Sequence, residues 1–436
     1  MSGSGGSRAL IIGTAAAVAG LAAAAWYWGQ SRGKKDGSSV EADEAKILTL
    51  PVIDFRSFDN RTNDKEAYMA ECKKVADALH KYGLCVVRDP RVQESENNIF
   101  VDMMERYFEL SDGIRDARPE YAFQVGVTPE FTGASVVGCL PHLSTSSSLP
   151  SPFSLPNQLQ TPNSDSTERP RNHCQRMGSM GPDNKPLSPC PPEKDPKWRF
   201  FWRIGPVPKH TSFPALNADP VIPPEIPEWT ETMDMWGNKM LKALFVLAEM
   251  AAVGFDMPAD SFTSRMQFGP HLLAPTGSDF NTFGDVGRVL AGYHYDLNFL
   301  TIHGKSRFPG LNAWTREGER MGVAIPDGCL LVQAGRQIEY LTGGHVLAGF
   351  HEVIVTNQTK QVIDRRRATG GSLWRVSSTL FGHIQSDQVL EPLAPFDTAA
   401  AKKAFPPKFA GAQVTEELQA INLDQSPRPG TGGAST

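Results

Sequence analysis

The sequence predicts a mainly β protein, a sandwich or barrel, with helices packed around it. From Met266 to Ile384, short apolar runs recur between Gly, Pro, Asn and Asp, at 288–292, 297–303, 310–314, 329–332, 345–350, 352–356 and 372–381. Runs of that length and spacing read as strands of an all-β core. Upstream, longer stretches carry apolar residues at helical rather than strand spacing. The 39 Gly and 34 Pro among 436 residues add turns and disfavour a helical bundle.

Residues 1–8 are a short flank. Residues 9–28 (ALIIGTAAAVAGLAAAAWYW) carry no charge. As a helix they would extend about 30 Å, the thickness of a bilayer core. Trp26, Tyr27 and Trp28 suit an interface, and Arg32, Lys34 and Lys35 follow. By the positive-inside tendency this reads as a single-pass transmembrane anchor, with the folded domain facing the cytosol. The charged start and Ala23-Ala24-Ala25 also fit a cleaved segment, which would send the protein to an organelle or out of the cell.

Residues 29–46 have linker composition. An N-terminal α/β region spans 47–134. It holds a strand at 47–55 and a helix from about Lys65 to Lys81, capped by Asn63-Asp64 and stopped by Gly83. A strand at 84–88 and a helix over about 97–110 follow. Residues 135–195 are rich in Ser, Pro and Asn without periodicity, an insertion or long loop. Residues 196–265 hold an aromatic strand at 198–204 and the strongest helix, 228–253, whose Met233, Trp236, Met240, Leu244, Leu247 and Met250 form a packing stripe. The β core covers 266–396. A C-terminal extension covers 397–436, and its end has a disordered composition.

The 43 basic residues against 48 acidic ones give a net charge of −5, unlike a nucleic-acid binder. The six cysteines form no CxxC pair, so zinc ribbons and thioredoxin-like motifs are excluded, and free thiols are expected. No GxSxG supports a hydrolase.

His294-Tyr295-Asp296 carries the chemistry. On an extended strand, residues i and i+2 share a face, so His294 and Asp296 offer an imidazole and a carboxylate to one point. A His from a distant strand can complete the set, with His351 the candidate. Two His and one carboxylate on one face of an octahedron leave three positions open, which suits Fe(II) activating dioxygen. LNFLTIHG and GLNAW follow, then PDGCLLVQAGRQIEYLTGGHVLAGFHEV and RVSSTLFGHI.

This ordered string resembles the iron(II)/2-oxoglutarate-dependent dioxygenase superfamily, in its isopenicillin N synthase-like branch. LPVIDF (50–55) and ADALHKYGLCVVRD (76–89) resemble that branch's N-terminal region, and the likeness runs from about Leu50 to Phe396. It implies a double-stranded β-helix, or jelly roll. It implies His294, Asp296 and His351 as catalytic iron ligands, with His345 the competitor for the last place. Arg375 and Ser377 match the Arg-x-Ser that holds the far carboxylate of 2-oxoglutarate. An arginine fork pairs with a carboxylate, and a hydroxyl two residues on shares its face. The implied reaction consumes 2-oxoglutarate and dioxygen, releases succinate and carbon dioxide, and hydroxylates or desaturates a C–H bond of a small organic substrate. The retained Asp296 distinguishes it from halogenating relatives.

Three features depart from the family's pattern. Glu352 follows the distal His where Arg is usual. The stretch from His351 to Arg375 is long and includes Arg365-Arg366-Arg367. Arg367-Ala368-Thr369 is a rival Arg-x-Thr, but Gly370-Gly371 follow where an apolar strand is needed. A Tyr that often binds the co-substrate is absent from His271-Leu272-Leu273-Ala274-Pro275. Two alternatives follow from these departures: an iron oxidase or synthase of the same fold that does not use 2-oxoglutarate, and a catalytically silent, membrane-anchored binding module. His271, His303 and His383 read as structural. Trp198, Arg199, Arg203 and His210 lie in a region able to reach the barrel mouth, with no role assigned.

Overall fold

The computed structural model describes residues 46–121, 123–132, 173–190 and 192–420. The apolar run at 9–28, the Ser/Pro-rich stretch before 173 and the extreme C-terminus lie outside the described residues. Among the described residues no helix is long and apolar enough to cross a membrane.

Two β-sheets dominate. One has five strands in the order β1 (Ile47–Leu48), β11 (Arg320–Val323), β10 (Leu311–Trp314), β13 (His351–Ile354) and β8 (Val289–His294). The other runs β14 (Trp374–Ser377), β7 (Thr276–Asp279), β5 (Trp198–Ile204), β6 (His271–Leu273), β15 (Thr379–Gly382), β9 (Leu300–His303), β12 (Leu330–Ala334), β3 (Leu84–Arg88) and β2 (Val52–Asp54), with β4 (Gly126–Thr128) beside β5. Most pairs are antiparallel, so each strand alternates a cavity face with an outer face.

Helices cover the larger sheet. α1 (Lys65–Tyr82) starts at Asp64, whose carboxylate accepts from Ala67 N–H at 3.0 Å, and ends at left-handed Gly83. α2 (Glu94–Leu110) begins three residues earlier than the apolar pattern indicates, because Glu96 reaches back to Gln93 N–H at 2.9 Å. α3 (Trp229–Gly254) buries its methionine stripe, with Met233, Trp236, Met240, Leu244, Leu247 and Met250 all inaccessible to solvent. α6 (Ala410–Ala420) gives the C-terminal extension an ordered part: Val414 and Leu418 pack toward Tyr295 and Leu297.

Three expectations need correction. Residues 345–350 form no strand. α4 (Arg336–Leu341) precedes them, and its buried Glu339 accepts from Ala348 N–H at 2.9 Å, holding the segment as a loop. The run 372–381 is two strands, split at buried Ser378, whose carbonyl accepts from Gly304 N–H at 2.7 Å. The long connection after β13 is helix α5 (Asn357–Ala368), capped by Thr356, and exposed Arg367 near its end is followed by no apolar strand, as Gly370-Gly371 indicate. Finally, not all the cysteines are free. Cys174 and Cys190 form a disulfide with Cα atoms 5.5 Å apart, whereas Cys72, Cys85 and Cys329 are buried thiols.

The disulfide belongs to the returning end of the Ser/Pro-rich segment, which is folded. A short helix at His173–Gly178 leads to Leu187, Ser188 and Asp195, all tied to the smaller sheet. The opposite side of the site is held by Gly335. A Cβ there would lie 2.1 Å from the Asn298 carbonyl oxygen, in the turn that carries Asp296. Gly335→Ala is expected to destabilise the protein by about 1–3 kcal/mol, as overpacking against backbone does, read as a lowered denaturant midpoint.

Candidate active site

Antiparallel pairing sets His294, the last residue of β8, directly opposite His351, the first of β13. Their rings lie 4.2 Å apart between centroids. Asp296 is not on the strand; it sits in the turn just beyond, whose backbone is anchored where Arg336 N–H donates to the Asp296 carbonyl at 2.8 Å. The turn still brings its carboxylate to 3.9 Å from His294 Nε2. One donor atom from each of the three residues falls within a 4.8 Å cluster. His345 is elsewhere, stacked between His80 and Phe396 at 4.1 and 4.8 Å.

Supporting groups orient the ligands. His294 Nδ1 bonds the Gly292 carbonyl at 2.6 Å, which directs Nε2 toward the carboxylate. Thr301 Oγ1 donates to Asp296 Oδ2 at 2.6 Å. The Gln333 amide lies 2.7 Å from His351 Nδ1 and donates to Asp296 Oδ2 at 3.3 Å, bridging two of the three residues. Burial lowers the His351 pKa and keeps the ring neutral, as metal ligation requires. The donor set, its open side and the His294 Nδ1 engaged by a carbonyl fit a divalent transition metal.

The triad opens into a cavity of about 450 Å³. Arg375 and Ser377 line it from β14. Arg375 is buried and forms no ion pair among the described residues, and its Nε has no partner. Burial draws its pKa down to about 10, which leaves it charged at neutral pH. A buried, unpaired guanidinium is costly unless an anion joins it, so Arg375 could hold an anion in the cavity. Ser377 Oγ contacts Thr379 Oγ1 at 3.0 Å, and Thr379 Oγ1 contacts His303 Nδ1 at 3.0 Å. The other ring nitrogen of His303 lacks a partner. Burial lowers the His303 pKa to about 4, so the ring is neutral at physiological pH.

Sequence reasoning left several of these residues unassigned. Thr301 and Gln333 act only through the register of β9 against β12, which pairs them directly. Arg199 and Lys197 line the cavity, and alternation along β5 was the available signal: Lys197, Arg199 and Phe201 share the cavity face, while Phe200 and Trp202 enter the helix-covered core. Arg203 is engaged with Asn217 and the Pro206 carbonyl, and His210 is exposed.

Glu352 has a structural task. It points away from the triad, is fully buried, and accepts from Leu187 N–H, Ser188 N–H and Ser188 Oγ at 3.2, 3.4 and 3.0 Å. Burial raises its pKa, with Arg320 opposing. Tyr293 N–H donates to the same Ser188 Oγ at 2.7 Å, so one carboxylate staples the returning segment to both strands that carry the paired histidines. Glu352→Ala strands these donors, at about 1–3 kcal/mol for a buried group left unsatisfied. The expected readout is faster proteolysis within residues 173–195.

No family model matches the chain. It is 23% identical over 322 residues to a Gibberella zeae protein named 2-oxoglutarate-dependent dioxygenase, covering 72% of this chain and 70% of that one. Among solved structures it is similar to a protein from Caulobacter crescentus described as of the 2OG-Fe(II) oxygenase family, with TM-score 0.59, 19% identity and coverage of 86% and 99%. It is also similar to a full-length Neurospora crassa protein solved in complex with alpha-KG, with TM-score 0.58, 16% identity and coverage of 87% and 99%. At these identities the structural likeness establishes the fold: two sheets with flanking helices, of the 2OG-Fe(II) oxygenase type.

Proposed function

We propose that this chain is a non-haem Fe(II)/2-oxoglutarate-dependent dioxygenase that hydroxylates or desaturates a C–H bond of a small organic substrate. The two sheets are then the halves of a double-stranded β-helix. The observation that carries the reading is the pairing of the His294–Asp296–His351 cluster with a buried, unpaired Arg375 in one cavity. A silent binding module has no need of both.

The residues divide the work. His294, Asp296 and His351 would hold iron, which when bound supplies the redox chemistry that activates dioxygen. Arg375 would clamp the far carboxylate of 2-oxoglutarate, with Ser377 beside it. His303 supplies a polar ring edge on that side of the cavity, where the family's usual Tyr is missing. Thr301 and Gln333 keep the Asp296 carboxylate fixed. Leu290, Phe308, Leu311 and Val353 line the cavity with apolar surface, which excludes water from the reacting C–H bond.

For location, the uncharged run at 9–28 supports a membrane tether. The Cys174–Cys190 disulfide favours the organelle-targeted or secreted alternative over a cytosol-facing domain.

The test is anaerobic. Fe(II) and 2-oxoglutarate added to the protein are expected to give the weak visible charge-transfer band of the chelate. Iron bound without a band would favour the oxidase, and no iron binding would overturn both enzyme readings.

A further inference from the structure

The cavity holds a second guanidinium that the proposed reaction does not use. Arg199 lies on the cavity face of β5, opposite Thr276 of β7, which is in turn opposite Ser377 of β14. Arg375 is opposite Ser278 on the same sheet face. The two arginines therefore belong to strands separated by one strand, about 10 Å apart at two interstrand spacings. Small side chains, Thr276 and Ser278, occupy the strand between them.

Arg199 makes no ion pair or side-chain hydrogen bond among the described residues, and its buried Nε has no partner. The carboxylate that acts on it is Asp195. That group is already committed, to Lys197 at 3.0 Å and to Gly292 N–H at 2.9 Å.

The charges decide what is missing. Lys197, Arg199, Arg375 and Asp296 line the cavity, and Asp195 lies behind its wall, paired with Lys197. Lys305 and Arg307, also on the wall, are matched by Asp327, and by Asp102 and Glu105. Iron(II) adds two positive charges and the co-substrate dianion removes two. One positive charge is left, at Arg199, in a chamber whose wall also carries the apolar side chains of Phe201, Leu290, Phe308 and Val353.

We propose that Arg199 binds the carboxylate of the prime substrate, so that the enzyme acts on a small, otherwise apolar organic acid. The inference rests on the dioxygenase reading above. A single residual charge selects a monoanion over a phosphate dianion, and the guanidinium fork matches a carboxylate bidentately. Arg199 is a specificity residue, distant in role from the metal.

The test uses the full-length protein with Fe(II) and 2-oxoglutarate under anaerobic conditions, and matched probes: octanoate against octanamide, and phenylacetate against phenylacetamide. Affinities come from thermal-shift titrations, for parent, Arg199→Leu and Arg199→Lys. In the parent, at least one acid is expected to bind at least about 10-fold tighter than its amide. Arg199→Leu should erase that preference, and Arg199→Lys should keep part of it. The 2-oxoglutarate band should titrate alike in all three. Acids and amides binding equally, or no acid binding at all, overturns the proposal. So does a loss of 2-oxoglutarate affinity in Arg199→Leu, which would place this cation in the co-substrate site. A parent without the band refutes the dioxygenase reading instead, and the acid-against-amide titration is still read by thermal shift.

Discussion

Asp296→Ala is expected to lose Fe(II) binding by more than about 100-fold, beyond the loss that follows removal of a ligand's hydrogen-bond partner alone. The carboxylate is the only anionic member of the cluster, and two neutral imidazoles cannot replace its charge. Removing it also frees the Thr301 hydroxyl and the Gln333 amide that now bond to it. His351→Ala should behave similarly. His345→Ala should leave iron affinity unchanged, because that ring stacks on His80 and Phe396 away from the cluster. Anaerobic titration against a chelator of known affinity measures all three. Near-UV circular dichroism separates a lost ligand from a lost fold.

Arg375→Leu is expected to split function from stability. Loss of one partner of a buried charge pair costs about 3–5 kcal/mol, so 2-oxoglutarate should bind about 10²- to 4 × 10³-fold more weakly. Iron affinity should hold, since Arg375 is not a ligand. The unloaded variant should melt at or above the temperature of the unloaded parent, because a buried cation without a counter-ion is exchanged for a neutral apolar side chain. Calorimetry with and without the co-substrate reads both effects. A variant less stable when empty, with unchanged 2-oxoglutarate affinity, would show the guanidinium to be a structural group.

Much of this arrangement is legible along the chain, for identifiable reasons. Strands β8, β10 and β12 alternate or run apolar between turn residues, α1 has a cap, and α1 and α3 both have stripes of helical period. Helix α5 escapes that reading because NQTKQVIDRRRA is polar nearly all round; only Thr359 and Ile363 are buried, and its start depends on the Thr356 cap. Residues 345–350 look like a strand in apolar content, yet the carboxylate of Glu339 claims the Ala348 N–H that a ladder would use. His294 and Asp296 do converge, though through a turn rather than along one strand. The disulfide has no motif: Cys174 and Cys190 are 16 residues apart, and only the folded return brings them together. Thr301, Gln333 and the matched side chain on Arg307 depend on pairing between distant segments, which local pattern does not encode.

The unpaired cations of the cavity have a consequence for the life of the protein in a cell. A fold that carries Arg199 and Arg375 without counter-ions is least favourable when empty, and each anion that enters stabilises it by mass action. The fraction of molecules open to a protease then falls as co-substrate rises. Abundance of the enzyme would follow the supply of 2-oxoglutarate with no change in its synthesis, and a cell short of the co-substrate would clear the idle protein faster.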